Sequence, residues 1–522
     1  MRARFSLVSL VLLAALVAAL ALVSLASPDG ARAVQQPTPP PTNTPRVAAP
    51  PTNTPRAMEP AQPPASSATP LPSETPTPTA TEPAFLPTPT LYYPPDVPVR
   101  QQPATAIPSP MPRLRAYDPS GTPYDLLNVM LIGHDGNVIP SDPNFHTDTM
   151  IVVSINRNTN TVSMISLPRD LFVYIPNWGM QRLNQAYWYG QAIGWEDGGW
   201  GMLRQVVLYN FGIELHYYAM VDFEGFEQII DTIGGVTIAV DCPIQDMLCT
   251  GERCRDGIPG NETDEDYELY TLPVGVYEMD GEQALWYARS RKNTIDFDRG
   301  RRQQQLLRAI WARAVDTGLI PQLPDLWSQL TSVVETNMPV NAVLPLIPLA
   351  LSIEPNDIEN HFFRKNVETV AWTDPATGAN VQLPNPDGGM LRMIENFLSP
   401  PTQNRLRLEN ARIAIENGTD NPGWDLVAAD RLIWEGFAPV AMGQAGETGI
   451  AQTLIYDYTG SSKGSSLSEL VSLLNIRPEN IIIEPDPNRT VDFRIVLGED
   501  YNSCVGRQWV EPRPTGEELA GS

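Results

Sequence analysis

Residues 148–170 read DTMIVVSINRNTNTVSMISLPRD. Two alternating, β-branched-rich runs, Ile151–Ile155 and Thr161–Leu167, flank the turn-forming cluster Asn158, Thr159 and Asn160. Such a pattern predicts a hairpin, because β-branched side chains suit a pleated surface and Asn-rich clusters suit its turn. Charged groups stand at its two ends. Asp148 begins the first strand, and Arg169 and Asp170 follow the second. Strand ends held in a sheet mount chemistry more rigidly than a free loop does.

The chain has 522 residues, enough for two or three domains, but it is not all globular. After MRARF an apolar run extends from Phe5 to about Ala26. A bilayer takes roughly 20 apolar residues, and a cleavable signal core usually about 7–15, so the length favours a retained anchor with its basic residues inside. A leader cleaved near Ala26 or Ala33 is the alternative. From Pro37 to Pro112 the sequence carries 25 of the chain's 53 prolines, interleaved with Thr, Ser and Ala, and repeats PTNTPR at 41–46 and 51–56. This composition buries no core and predicts an extended linker that lifts a domain off the membrane.

The formal net charge of -25 argues against nucleic acid as a partner, which a basic excess would favour. The four cysteines are Cys242, Cys249, Cys254 and Cys504. Outside the membrane they are expected to form disulfides. Three within 13 residues predict at least one local bridge, and the pairing of Cys504 is left open. No histidine close to them supports the alternative, a zinc site.

Strand patterns at Leu126–Gly133, the hairpin, Glu214–Val221 and Val236–Val240 alternate with helical patterns. These fall at Arg182–Gly190, Gly201–Asn210, Phe223–Ile233 and Arg299–Val315. The alternation predicts a layered α/β domain with a central sheet flanked by helices. Residues 242–268 read as an inserted loop. Gln283–Ser290 reads as extended or as a helix-to-strand transition. Further helix is expected at Leu323–Val334 and Val343–Leu351, before a polar, Pro-rich stretch. A second, small α/β unit follows from about Arg405 to Val505, with strands in RLENARIAIENGT and at Thr453–Asp457, Ile481–Glu484 and Asp492–Leu497. Its helices fall at Trp424–Gly436 and Leu467–Leu474. The boundaries are then 1–33 for the membrane helix, 34–115 for the linker, 116–400 for the main domain, 401–506 for the second unit and 507–522 for a tail.

Six arginines (289, 291, 299, 301, 302 and 308) cluster in this acidic chain. On an extended segment Arg289 and Arg291 point to one face, and on a helix Arg299 and Gln303 share another. Convergent guanidinium forks suit a multi-oxygen anion. Arg301, Arg302 and Arg308 are expected instead to form a solvated basic helix face. Asp135 and Asp148, at adjoining strand ends, suit a hard cation such as Mg²⁺, which binds through one or two carboxylates plus phosphate oxygens. Turn-capping is the plainer reading for either aspartate alone. Five aromatic residues at 187–200 (Tyr187, Trp188, Tyr189, Trp195 and Trp200) fit either core packing or contact with a lipid or sugar. GSSKGSS at 460–466 lacks the phosphate-loop spacing, and neither HExxH nor GxSxG occurs.

The blocks VMLIGHD, TDTMIVVSIN, SMISLPRD, RLNQAYWYG, FEGFEQIIDTIGGVTIAV, MDGEQALWYARSR and DFDRGRRQQ, over roughly 125–315, resemble the LytR-CpsA-Psr family in order and spacing. The resemblance implies that family's layered α/β fold. It also implies an extracytoplasmic enzyme, held by a single-pass helix in the cell membrane, that attaches glycan polymers to peptidoglycan. The implied ligand is a polyprenyl-pyrophosphate-linked glycan whose lipid enters a hydrophobic tunnel beneath the sheet. By the same resemblance Asp135 and Asp148 hold Mg²⁺. Arg169, Arg182, Arg289, Arg291 and Arg299 clamp the pyrophosphate beside Gln303, and Asp170 orients Arg169. The segment 405–505 resembles the family's accessory domain. Two positions depart from the pattern: His146 stands where arginine is frequent, and Arg182 where lysine is common. Hydrolysis of the same lipid, or non-catalytic lipid-glycan binding as a wall scaffold, are the rival readings.

Overall fold

The computed structural model describes residues 109–504, apart from 135–145, 252–262, 293–295 and the short breaks 324–326, 328–329, 332, 355–356, 375–377, 386 and 401–404. The expected membrane helix and most of the linker, the expected tail, Asp135 and Cys254 lie outside the described residues. Among the described residues no helix is long and apolar enough to cross a membrane.

The hairpin forms as its alternation dictates. Strands β1 (Leu126–His134), β2 (Thr147–Asn156) and β3 (Thr161–Ser166) pair antiparallel in sequence, with Asn156 opposite Thr161 at the turn. Short strands β4 (Phe172–Ile175) and β5 (Gly179–Arg182) make a ribbon, followed by helices α1 (Ala186–Ala192) and α2 (Gly198–Phe211). Strand β6 (Tyr217–Val221) returns parallel to β1. Helix α3 (Phe223–Thr232) follows, opened by the Asp222 side chain, which accepts from the Gly225 N–H at 2.8 Å.

Strand β7 (Val236–Val240) then leads into β8 (Ile244–Cys249) and β9 (Tyr267–Leu272). These two pair antiparallel, so the stretch read as a loop is a two-stranded ribbon at its base. Strand β10 (Gly275–Met279) pairs with β7, and helix α4 (Gly281–Arg289) follows through a capping box between Asp280 and Gln283. That cap makes Gln283–Arg289 helical rather than extended, because it satisfies the first N–H groups of the helix. Helix α5 (Asp296–Asp316) is the longest of the domain.

Two strands from the later segment complete the central sheet. They are β11 (Glu335–Thr336), on β6, and β12 (Ile358–Phe362), parallel to β3. The order is β11-β6-β1-β2-β3-β12. A hairpin of β13 (Thr369–Thr373) and β14 (Asn380–Pro384), then helix α6 (Gly389–Leu398), occupies the stretch read as polar and Pro-rich. Strand β12 mixes His361 and Asn360 with apolar residues, so its pattern carries little sign of its place in a buried sheet.

Both faces of the sheet are covered, and therefore β1–β3 read as near-continuous apolar runs. Leu127, Val129, Ile151 and Val153 face α3, α4 and α5, meeting Ile229, Tyr287, Leu306 and Ile310. Met130, Ile132, Met150 and Val152 face α1, α2 and α6, meeting Tyr187, Leu203, Val206 and Phe397. Tyr187, Tyr189, Trp195 and Trp200 are buried in this second layer, with Trp178 stacked on Tyr189 at 4.4 Å. These four aromatics are core.

The second unit has its own five-stranded sheet and apolar cluster. Strand β15 (Arg412–Asn417) lies between β16 (Ala438–Gln444), a strand that short alternation did not reveal, and β19 (Phe493–Leu497). Beyond β19 come β17 (Leu454–Asp457) and β18 (Ile481–Ile483). Helices α7 (Trp424–Trp434) and α8 (Gly464–Leu473) supply Ala428, Leu432 and Leu470 to the core.

Candidate functional site

At the C-terminal end of β1, in the middle of the sheet order, the β1–β2 register slips by one residue: Gly133 faces Thr149 while His134 faces Thr147. Asp148 is therefore the extra residue of a bulge, a device that re-aims a side chain at a strand end. Gly133 lets Thr149 sit close, since a Cβ there would meet the Thr149 Cβ at 3.1 Å.

Asp148 accepts a hydrogen bond from Arg169 Nη1 at 2.8 Å, with both side chains partly exposed. Asp170 stands 3.6 Å from Arg169 Nε and 3.7 Å from Arg182 Nε, so one carboxylate orients both arginines. Arg182, the last residue of β5, also donates to the Asn380 carbonyl at 3.0 Å. Arg299 and Gln303 stand one turn apart on α5. With Asp148, Arg169, Ser166 and Gln382 they line a groove of about 420 Å³, part of it open to solvent.

The groove adjoins a larger cavity of about 890 Å³, part of it open to solvent. Its walls are apolar: Leu131, Ile151, Phe226, Ile229, Leu306 and Ile310 are among them. Thr149 and Gln303 line both spaces. Gln303 Nε2 donates to Thr149 Oγ1 at 2.9 Å, and this contact forms the shared wall. Arg289 ends α4 at the cavity, its guanidinium 4.2 Å from the centre of the Phe223 ring. A polar, cationic groove thus opens onto an apolar cavity beneath the sheet.

Five of the arginines and carboxylates expected from sequence are gathered here: Asp148, Arg169, Arg182, Arg289 and Arg299, with Gln303. Arg291 is not among them. It follows α4 in an exposed loop, and its N–H donates to Asp246 at 2.5 Å. The shared face expected for Arg289 and Arg291 is absent because Arg289 is helical. His146 is half-buried at the start of β2. The expected solvated face of Arg301, Arg302 and Arg308 is also overturned: the three are 5%, 2% and 1% exposed. Sequence missed Thr149, Ser166 and Gln382, because threonine, serine and glutamine in strand-like text carry no distinctive sign.

The LytR_cpsA_psr family matches residues 106–383, more than half of the chain. The chain belongs to the LytR-CpsA-Psr family. Among its relatives is the polyisoprenyl-teichoic acid–peptidoglycan teichoic acid transferase TagU of Oceanobacillus iheyensis, 32% identical over 43% of this chain and 62% of TagU. The corresponding TagT of Bacillus subtilis is 26% identical over 46% of this chain and 68% of TagT. The regulatory protein MsrR of Staphylococcus aureus is 31% identical over 38% of this chain and 53% of MsrR. The LytR-CpsA-Psr match thus spans roughly half to two thirds of these relatives' lengths. The crystal structure of B. subtilis TagV, 22% identical, aligns over 52% of this chain and 97% of that chain with a TM-score of 0.41.

Proposed function

We propose that this LytR-CpsA-Psr protein transfers a glycan polymer from a polyprenyl-pyrophosphate carrier to a hydroxyl of peptidoglycan, releasing polyprenyl phosphate. The observation that carries the reading is the junction at Thr149 and Gln303, where a cationic groove meets an apolar cavity. A pyrophosphate with a long hydrocarbon tail has that same division of chemistry. The names of TagU and TagT, transferases acting between polyisoprenyl-linked teichoic acid and peptidoglycan, agree with it.

The wall hydroxyl attacks the phosphorus that bears the glycan. The bond from that phosphorus to the bridging oxygen breaks, polyprenyl phosphate leaves with the oxygen, and the hydroxyl proton is released. Negative charge grows on the bridging oxygen, so fixed guanidinium groups stabilise the transition state more than the ground state. Arg169 and Arg299 hold the pyrophosphate from two sides of the groove, Arg182 stands behind Arg169 through Asp170, and Arg289 caps the lipid end. Arg291, from its exposed loop, meets the glycan side. The linkage itself carries the driving force, so no nucleotide is needed.

The groove also suits Mg²⁺. Asp148 offers a partly exposed carboxylate with one oxygen held by Arg169. Mg²⁺ binds through one or two carboxylates and takes further ligands from phosphate and water. Asp148 would hold it together with Asp135. Such an ion would neutralise charge on the pyrophosphate oxygens. The N-terminal apolar run would anchor the enzyme in the cell membrane, with the catalytic domain outside.

The test is a transfer assay with the full chain in detergent, a polyprenyl-pyrophosphate-linked glycan, a peptidoglycan oligomer and Mg²⁺, read by mass. A joined product that disappears with chelator and with Arg169→Ala is expected. Polyprenyl phosphate released without a joined product would replace transfer with hydrolysis. Tight binding with no turnover would make the protein a lipid-glycan binder.

A further inference from the structure

Helix α5 carries two sets of side chains within ten residues. Arg299 and Gln303 face the groove. Arg301, Gln305 and Arg308 face the second unit and are buried. Arg301 Nη1 meets Asp241 at 2.6 Å, and its guanidinium lies 4.8 Å from the centre of the Trp434 ring. Arg308 approaches the same ring at 5.5 Å. Gln305 donates to Asp430 at 2.9 Å and to the Ala239 carbonyl at 2.7 Å, and accepts from the Tyr287 hydroxyl at 2.7 Å. Trp434 and Asp430 both belong to α7.

The docking continues next to Asp241. Its carbonyl accepts from the Ser503 hydroxyl at 2.6 Å, and its neighbour Cys242 is bonded to Cys504. Hydrogen bonds, an ion pair, a ring and a covalent bond therefore converge on one side of α5 and the end of β7. Burial of so many polar groups is costly without partners, and here partners come from both units. A helix is stiff over this length, so what fixes Arg301 and Gln305 also fixes Arg299 and Gln303.

We infer that the second unit positions α5 for the groove, with Trp434 as the chief positioning residue and Arg301 and Gln305 as its contacts on the helix. This rests on the transferase reading for the identity of the anion, although the mechanical coupling does not.

The test uses the full chain. Hydrogen exchange is followed at amides 298–310 of α5 and at amides 150–155 of β2, and affinity is measured for polyprenyl pyrophosphate. Trp434→Ala is expected to speed exchange in α5 and to weaken binding, each by about tenfold, the usual size of a coupling between sites. Exchange in β2 stays unchanged, and Trp434→Phe restores both. Cys504→Ser, which keeps the ring, is expected to move α5 in the same direction by less. Unchanged exchange and affinity in Trp434→Ala would overturn the inference. So would equal acceleration in β2, which would mark general loosening rather than positioning. If the unmodified protein binds no polyprenyl pyrophosphate, the transferase reading falls, and the exchange data alone decide the coupling.

Discussion

Gln303 on α5 donates to Thr149 on β2 at 2.9 Å, and the pair stands where a polar groove and an apolar cavity meet. Neither residue carries a charge. Their bond holds two surfaces of opposite chemistry together, and on the proposed reading the charged head of the lipid lies on one side of it and the hydrocarbon tail on the other. Thr149→Val keeps the volume and leaves the Gln303 amide with only its longer contact to the Ala288 carbonyl, at 3.4 Å. A loss of stability of about 1 kcal/mol, read from the denaturant midpoint, is expected. A larger loss of lipid affinity should accompany it.

Arg169 is the guanidinium closest to Asp148. Arg169→Ala removes the charge-assisted contact to Asp148 and, on the proposed reading, one to the pyrophosphate. The dissociation constant for polyprenyl pyrophosphate is expected to rise about ten- to hundredfold, since hydrogen bonds to charged groups are each worth about 1.5–3 kcal/mol. Thermal stability should barely change, because both side chains are partly exposed. Arg169→Lys should recover part of the affinity but not the fork. Isothermal titration with the three proteins checks this.

Leu307 lines the apolar cavity. Leu307→Trp should fill it and discriminate by chain length. Affinity for a long polyprenyl pyrophosphate is expected to fall at least about tenfold, while a short isoprenoid pyrophosphate binds as before. The estimate follows from losing several buried methylenes at about 0.8 kcal/mol each. Equal losses for both lengths would locate the tail elsewhere.

Asp241 and Arg301 form a buried pair. Removing one partner leaves an uncompensated charge, and Asp241→Leu should cost about 3–5 kcal/mol. The double variant Asp241→Leu, Arg301→Met should lose much less, because the two opposite charges of this pair are removed together. Chemical denaturation of Asp241→Leu, Arg301→Met, the double variant and the parent completes the cycle.

His216 supplies the pH prediction. Burial, and then the neighbouring Arg113, push its pKa from 6.5 down to about 4. Its neutral ring accepts the Asn128 N–H at Nδ1, 3.0 Å away, and Glu214 beside it is already paired with Arg113. The unfolded chain takes up a proton as pH falls below 6.5, whereas the folded chain resists until about 4. This group's contribution is therefore constant above pH 6.5 and is lost between 6.5 and 4, by roughly 3 kcal/mol in all. Denaturant midpoints at pH 7 and pH 4.5 should differ less in His216→Asn than in the parent.

The hairpin, the α3 and α5 helices and the alternation that builds the sheet were legible because their apolar periods are long and uninterrupted. Asp148 and Arg169 were legible as charges at strand ends, and Arg299 and Gln303 as a helical pair. What escaped has physical reasons. Strand β12 is polar enough to look like a loop. Arg289 is fixed by a capping box three residues into α4, a local signal that was outweighed by the expectation of an extended segment. Arg301, Arg302 and Arg308 looked like a wet face because basic residues normally are. Arg302 is buried against the carbonyls at the end of α4, those of Tyr287 and Ser290, whereas Arg301 and Arg308 meet Asp241 and Trp434, residues 60 to more than 120 positions away in sequence, and no local pattern reports such a partner.

The bond between Cys242 and Cys504 joins positions 262 residues apart. It turns that span into a closed covalent ring, and the ring contains Arg289, Arg299 and Gln303 but not Asp148 or Arg169. The cationic groove is thus assembled from β2, β3 and the turn after it outside the ring, and from α5, β12 and β14 inside it. A protease that nicks the chain at any one point between the two cysteines cannot detach the second unit, because both pieces stay on one molecule.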